Sequence, residues 1–127
     1  MVKQDSINRE FVKSLITKHA LHQILANDCD CSASKSIFYI AQHSDRDINF
    51  RKEILEQFSK SKFYPKDNIA YLIDRQLMNE NKKQKFGTQL KFNTDSNRFE
   101  SSPIEDMNRI DSLRYEYNLS KFKICKF

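Results

Sequence analysis

The residues best suited to acid–base chemistry lie in the segment from Gln42 to Phe50, which reads QHSDRDINF. His43 stands close to Asp45 and Asp47. An imidazole oriented by a carboxylate can act as a general acid or base, because its pKa lies near neutral pH. The structural alternative is that His43 ends one helix, whose dipole favours the cation, while Asp45 or Asp47 caps the next helix. The local sequence favours the structural interpretation and leaves the chemical one open.

A second polar cluster begins in the stretch from Asp67 to Gln89, which reads DNIAYLIDRQLMNENKKQKFGTQ. This stretch starts as a helix that is apolar on two opposite sides, yet it carries the adjacent charges Asp74 and Arg75. Neighbouring side chains on a helix point about 100° apart, so these two charges do not face each other. A buried charge is costly unless it is paired, so each needs a partner elsewhere. The expected partners are Arg114 for Asp74, and Asp45, Asp47 or Asp106 for Arg75.

The loop after this helix holds Gly87, the only glycine of the chain, followed by Thr88 and Gln89. A single glycine at this place indicates a positive φ angle or a backbone that another group approaches closely. Arg114 borders the apolar stripe of the last predicted helix. An arginine there either extends past the core or binds an anion.

Two sets of side chains contain potential metal ligands. The first set is His19, His22, Cys29 and Cys31. Zinc sites use two well-spaced pairs of ligands, and the spacing H-x-x-H-x6-C-x-C does not match that pattern. The second set is His43, Asp45 and Asp47, in which two carboxylates are a marginal number for a divalent ion. We therefore predict neither a metal nor a cofactor.

The spacing of apolar residues predicts a mainly α fold, a compact bundle of about five helices with a small β-hairpin between the last two. One glycine and two prolines are too few turn formers for a β-sandwich or barrel. Residues 19–32 lose the helical spacing and are predicted to form a loop. The predicted helices cover residues of about 6–19, 34–42, 48–60, 67–82 and 106–118, the hairpin covers 86–92 and 97–101, and an irregular strand covers 119–127.

Composition and charge set limits on the class of protein. The 127 residues, 39% hydrophobic and 31% charged, are typical of one globular domain spanning residues 1–127. The net charge of +5 is spread along the chain, whereas nucleic-acid-binding proteins usually concentrate charge on one face. No apolar run has the length of a membrane span, and the N-terminus lacks the apolar stretch of a signal peptide. Three cysteines cannot all pair with one another, which favours the cytoplasm.

Five segments follow one another as QHSDRDINF (42–50), IAYLIDR (69–75), QKFGTQ (84–89), PIED (103–106) and Arg114. Together they resemble a family of small bacterial domains of unknown function. Its hallmarks are QHAD-x-D-x-x-F, LAYLTDR, Q-x-YGTQ, PIED and a late arginine, in the same order over roughly residues 35–120. Phe86 and Ser44 replace the usual tyrosine and alanine, and Ala20-Leu21-His22 stands where Gly-Trp-Pro is frequent.

The resemblance implies no particular reaction, but it draws attention to polar residues. Hallmarks that only built a helical core would be mainly apolar, so we predict that the polar ones converge on one site. The predicted catalytic residues are His43 and Asp74, and the predicted ligand-binding residues are Gln42, Asp45, Arg75, Thr88, Gln89 and Arg114.

Two functions remain open at this point. In the first, these residues bind a small anionic ligand or substrate, with arginine forks on its carboxylate or phosphate and His43 as general acid or base if a reaction occurs. In the second, the chain is a binding module without chemistry, an immunity- or adaptor-type protein that binds a protein partner. The polar residues are then a structural network.

Overall fold

The computed structural model of the chain describes residues 2–18, 21–28, 31–62 and 64–123, apart from the side chains of residues 2, 18 and 22. Within these residues the protein is mainly helical, with 57% helix and an antiparallel two-stranded hairpin between the last helices. The fold class predicted from the sequence is confirmed. The elements are α1 (Val2–Lys18), α2 (Leu21–Ala26), α3 (Ser32–Gln42), α4 (Ile48–Lys60), α5 (Lys66–Asn79), β1 (Leu90–Asn93), β2 (Arg98–Ser101) and α6 (Ile110–Glu116). None of the helices in this part of the chain is long and apolar enough to cross a membrane.

The chain divides into two compact units, Met1–Asn68 and Ile69–Phe127, and the boundary falls inside α5. In the first unit, α3 packs against α1, α2 and α4, and α2 also contacts α4. The ring of Phe58 stacks on that of Tyr64, with 3.8 Å between the ring centroids. The buried apolar residues of the first unit are Val12, Leu21, Ile37, Ala41, Phe50, Ile54, Phe58 and Tyr64, and those of the second are Ile69, Ala70, Leu72, Phe86 and Ile110.

The start of α4 is fixed by Asp47, one of the two aspartates, Asp45 and Asp47, that the sequence offered as its cap. Its carboxylate accepts a hydrogen bond from the backbone N–H of Phe50 at 3.1 Å, which satisfies one of the free N–H groups of the first turn. The same carboxylate forms ion pairs with Lys13 at 2.7 Å and Arg9 at 3.3 Å. Asp47 therefore links α1 to the beginning of α4.

Four predicted segments differ from the structure. Residues 21–26 form α2 rather than loop, because a helix of six residues is too short to show a repeating apolar stripe. The last helix starts at Ile110 instead of 106, since the Asp106 carboxylate accepts the N–H of Asn108 and holds a turn there. The first predicted strand of the hairpin is shorter than expected and starts at Leu90. Residues 119–123 form no strand, and residues 124–127 lie outside the described part.

Asp47 gives a test of this capping arrangement. Asp47→Ala should lower the free energy of unfolding by about 1–2 kcal/mol, because it removes the cap as well as the ion pairs. Asp47→Asn keeps a capping side chain and should cost only about 0.5–1 kcal/mol, the value of the partly exposed ion pairs. Both changes are measured by urea unfolding at pH 7.

The pH dependence checks the cause of the loss in Asp47→Asn. The hydrogen bond from Lys13 is the main reason why the pKa of Asp47 lies below its usual 3.8. The hydrogen bond from the N–H of Phe50 and the charge of Arg9 lower this pKa further. The stabilisation is therefore complete above that pH and disappears as the pH falls through the lowered pKa. A difference between wild type and Asp47→Asn that persists unchanged at pH 2 would contradict this assignment.

Candidate functional site

The carboxylate of Asp74 is completely buried in the second unit and is bound by a loop of the chain that follows α5. Its Oδ1 accepts the backbone N–H groups of Lys85 at 2.7 Å and Phe86 at 3.1 Å. Its Oδ2 accepts the N–H of Thr88 at 3.0 Å and the Thr88 hydroxyl at 2.8 Å. Three amides and one hydroxyl thus compensate the loss of water around a buried charge.

The end of α5 directs the loop back over Asp74. Asn81 adopts a positive φ of 57°, and the N–H of Lys82 donates to the carbonyl of Leu77 at 2.8 Å. A helix commonly ends in this way, with one residue in the left-handed conformation and a hydrogen bond that reverses the chain. Glycine is the most frequent residue at that position, and asparagine is also found there. The chain therefore reverses within three residues of the helix, which places residues 85–88 beside the Asp74 carboxylate.

Gln84 anchors the loop at its other side and is fully buried. Its Nε2 donates to the carbonyls of Ser102 at 2.7 Å and Gln89 at 3.2 Å, while its Oε1 accepts the N–H of Gln89 at 3.0 Å. The backbone of Gln84 also pairs with the PIED segment, accepting from the N–H of Glu105 and donating to the carbonyl of Pro103. One glutamine consequently joins the loop, the start of the hairpin and the PIED turn.

Gly87 is required by both its backbone and its surroundings. It has a φ of +68°, and a Cβ atom at this position would lie 2.6 Å from Cε2 of Phe122 and 3.1 Å from Cδ1 of Ile110. The first distance is far below van der Waals contact, so any other residue would displace the Phe122 ring. The positive φ predicted from the sequence is confirmed.

Arg114 binds the loop through backbone oxygens and not through Asp74. Its Nη1 donates to the carbonyl of Phe86, and its Nε donates to the carbonyl of Ser120. The ring of Phe122 lies 5.8 Å from its guanidinium carbon. The predicted ion pair with Asp74 is therefore wrong, because Arg114 is occupied as a tether between the loop and the C-terminal segment.

Thr88 and Gln89 use most of their polar atoms inside the same network. The Thr88 hydroxyl donates to Asp74 and accepts from Nε2 of Gln89 at 3.1 Å. Oε1 of Gln89 accepts from Nη1 of Arg75 at 3.5 Å, the long limit of a hydrogen bond. The expected pairing of Arg75 with an aspartate stays a prediction.

A cavity of about 550 Å³ opens beside this network, within the second unit. Gly87, Thr88 and Arg114 belong to its wall, together with Tyr71 of α5. The hairpin and the segment after α6 complete the wall with Leu90, Arg98, Phe99, Glu100, Ser101, Ser120, Lys121, Phe122 and Lys123. Of the eight predicted site residues, the structure brings five together in this unit, namely Asp74, Arg75, Thr88, Gln89 and Arg114.

The other three predicted residues, Gln42, His43 and Asp45, lie in the first unit. His43 is exposed and borders a small groove of about 160 Å³ with Asp5, Asn8, Tyr39 and Ile40. Its imidazole makes no hydrogen bond with a described residue of that unit. Asp45 forms an ion pair with the buried Arg51 at 3.4 Å, and Gln42 ends α3. The role of His43 as a general acid or base stays a prediction.

Across the described residues, no three His, Cys, Asp or Glu side chains are grouped closely enough to hold a metal ion. This includes His43, Asp45 and Asp47, of which Asp47 is engaged by two cations. Of the four nominal zinc ligands, only the exposed Cys31 is described, whereas His19, Cys29 and the side chain of His22 lie outside.

Sequence reasoning did not select Gln84, the residue that joins the loop, the hairpin and the PIED turn. The available signal was its position at the start of QKFGTQ, immediately before the glycine loop. It also missed Tyr71 and Phe99 as parts of a cavity wall, because aromatic residues in a helix and a strand usually indicate core.

Comparisons with protein-family models, curated proteins and solved structures found no match, so the family resemblance stays a prediction.

The Asp74 network predicts a large cost for a small change. Asp74→Asn should lower the free energy of unfolding by about 3–5 kcal/mol, because an amide places an N–H group against backbone N–H donors in a buried site. Chemical denaturation measures the loss. Asp95→Asn in the exposed hairpin turn is the matched control and should change stability by less than about 0.5 kcal/mol. Equal, small effects of the two changes would contradict the network.

Gly87→Ala tests the close approach of Phe122. The positive φ alone should cost about 1–2 kcal/mol, and the displaced ring should add to it. Asn97→Ala provides the control, since Asn97 also has a positive φ, of 52°, but lies in the open hairpin turn. We expect Gly87→Ala to lower the melting temperature clearly more than Asn97→Ala. Equal shifts would mean that the Phe122 contact contributes nothing.

Proposed function

We propose that this protein is a ligand-binding module, and that the cavity of the second unit is its site for a small anionic ligand. The observation that carries the proposal is the charge of the wall, which contains four cationic side chains and a single acidic one. They are Arg98, Arg114, Lys121 and Lys123 against Glu100. A volume of about 550 Å³ lies in the range of small-molecule sites.

Glu100 does not offset the excess of positive charge on the cavity wall. Its carboxylate accepts hydrogen bonds from Nδ2 of Asn93 at 3.0 Å and the Ser96 hydroxyl at 2.8 Å. These bonds, with the charge of Arg98, hold the pKa of Glu100 below its usual value, so it stays ionised at neutral pH. Its carboxylate is hydrogen-bonded toward the hairpin turn. Arg98 acts on Glu100 only through its charge, while Arg114, Lys121 and Lys123 form no ion pair with a described acidic side chain.

Arg114 is the residue that we expect to contact the anion. Two of its three nitrogens are fixed on backbone carbonyls, which holds the guanidinium plane in one orientation. Nη2 makes no hydrogen bond with a described residue and is free to donate. A preoriented guanidinium loses little rotational freedom on binding a carboxylate or phosphate, which favours affinity.

The Asp74 network supports this site and performs no chemistry in the proposal. All acceptor positions of its carboxylate face N–H or O–H groups of the chain, so no lone pair is left for a substrate proton. Thr88 and Gln89 likewise act on the loop and not on the ligand. We therefore assign no reaction, and catalysis by His43 is no part of the proposed site.

A second candidate is an immunity- or adaptor-type module that binds a protein partner. The observation in its favour is the hairpin, where Leu90, Phe92 and Phe99 are each 44–59% exposed. Three large apolar side chains on so short an element are frequent at interfaces.

For either function we propose a bacterial protein of the cytoplasm, on the basis of the resemblance and of the odd number of cysteines.

Binding of inorganic pyrophosphate tests the anion site. The double change Arg98→Gln with Lys121→Gln should weaken binding about ten-fold, because each exposed charge contributes about 0.5–1 kcal/mol. Binding is measured by calorimetry at 20 mM salt and should weaken further at 200 mM salt. The matched control, Lys91→Gln, removes an exposed charge of β1 that does not border the cavity. Absence of binding, or an equal loss in the control, would overturn the proposal.

A further inference from the structure

We infer that the ligand of this cavity carries an aromatic ring joined to its anionic group. This inference rests on the proposed function and adds the chemical class of the ligand. It follows from the apolar half of the wall, which the cations do not explain. Inorganic anions alone would leave that half in contact with water.

The hairpin contributes the first part of the apolar wall. The N–H of Ser102 donates to the carbonyl of Gln89, and β1 pairs with β2 so that Leu90 is opposite Ser101 and Phe92 opposite Phe99. Since side chains alternate along a strand, Leu90, Phe92 and Phe99 share one face. Leu90 is 55% exposed and Phe99 is 59% exposed, and both border the cavity.

Two further rings reach the same cavity from other elements. Tyr71 comes from α5, where it is 38% exposed on a helix whose neighbours Ala70 and Leu72 are buried. Phe122 comes from the segment after α6 and is positioned by the N–H of its own backbone, which donates to Asp111 at 2.8 Å. Rings from three separate elements thus border one opening, where they can stack against a flat ligand or contact its edge.

The rings and the charges are adjacent, which is why one ligand should satisfy both. The ring of Phe122 lies 5.8 Å from the guanidinium carbon of Arg114, and both residues border the cavity. An anionic group on Arg114 would therefore place its attached ring in the cavity that Phe122 and Phe99 both border. An aryl phosphate, an aryl carboxylate or a nucleotide has this combination of groups.

Three probes separate the two components of the ligand. The first is 1-naphthyl phosphate, the second is inorganic pyrophosphate and the third is 1-naphthol. The protein contains no tryptophan, so naphthyl fluorescence excited above the tyrosine absorption reports binding directly. We expect 1-naphthyl phosphate to bind at least ten-fold more tightly than either single-component probe.

Two phenylalanine variants locate the ring. Phe99→Ala should weaken binding of 1-naphthyl phosphate at least five-fold and leave pyrophosphate unchanged. Phe92→Ala is the matched control, because Phe92 shares the face and contacts Phe99 with 5.2 Å between ring centroids, but does not border the cavity. Each change removes the same aromatic pair, so the two variants should lose similar stability and differ only in binding.

The outcomes distinguish this inference from the proposed function. If pyrophosphate binds as tightly as 1-naphthyl phosphate, the inference is wrong while the anion site stands. If 1-naphthol binds as tightly as its phosphate, the ligand is not an anion and both fail. Binding of none of the probes also overturns both, and an equal loss of affinity in Phe92→Ala and Phe99→Ala overturns the assigned position of the ring.

Discussion

The second unit depends on the burial of one carboxylate. Asp74 is fully enclosed, and a charge in that position is tolerated only while hydrogen-bond donors surround it. Those donors are the amides of Lys85, Phe86 and Thr88 with the Thr88 hydroxyl. Their directions fix the backbone of the loop, which in turn requires the positive φ that Gly87 supplies.

The peptide groups around Phe86 transmit this constraint to the cavity. The N–H of Phe86 donates to Asp74, and its carbonyl accepts from Arg114. The two opposite charges are therefore coupled through one residue of backbone without touching each other. The loop, whose polar groups are hydrogen-bonded within the chain, therefore lies beside the cavity whose wall carries the cations and the rings. In the proposed function, this arrangement holds Arg114 in place before a ligand binds, which lowers the entropic cost of binding.

The sequence predicted what depends on spacing and local capping. The mainly helical class, the hairpin and a capping aspartate at the start of α4 followed from apolar periodicity and helix-end chemistry, whereas the choice of Asp47 over Asp45 did not. The partners of Asp74 could not be predicted in the same way, because backbone amides are present at every residue and leave no signature in the residue types. The predicted pairing of Asp74 with Arg114 was wrong for that reason. The backbone of Phe86 lies between the two side chains and hydrogen-bonds to both. Long-range packing likewise determines that Phe99 borders a cavity, and the local sequence of β2 does not show this.

Amide hydrogen exchange tests the central claim, that the loop over Asp74 is a rigid part of the fold. The account predicts that, without any ligand, the amides of Phe86 and Thr88 exchange as slowly as those of buried positions in α5, such as Leu72. Exchange as fast as that of Asp95 and Ser96 in the exposed hairpin turn would contradict it. In that case the loop would not hold Asp74, and Arg114 would have no fixed position from which to bind an anion.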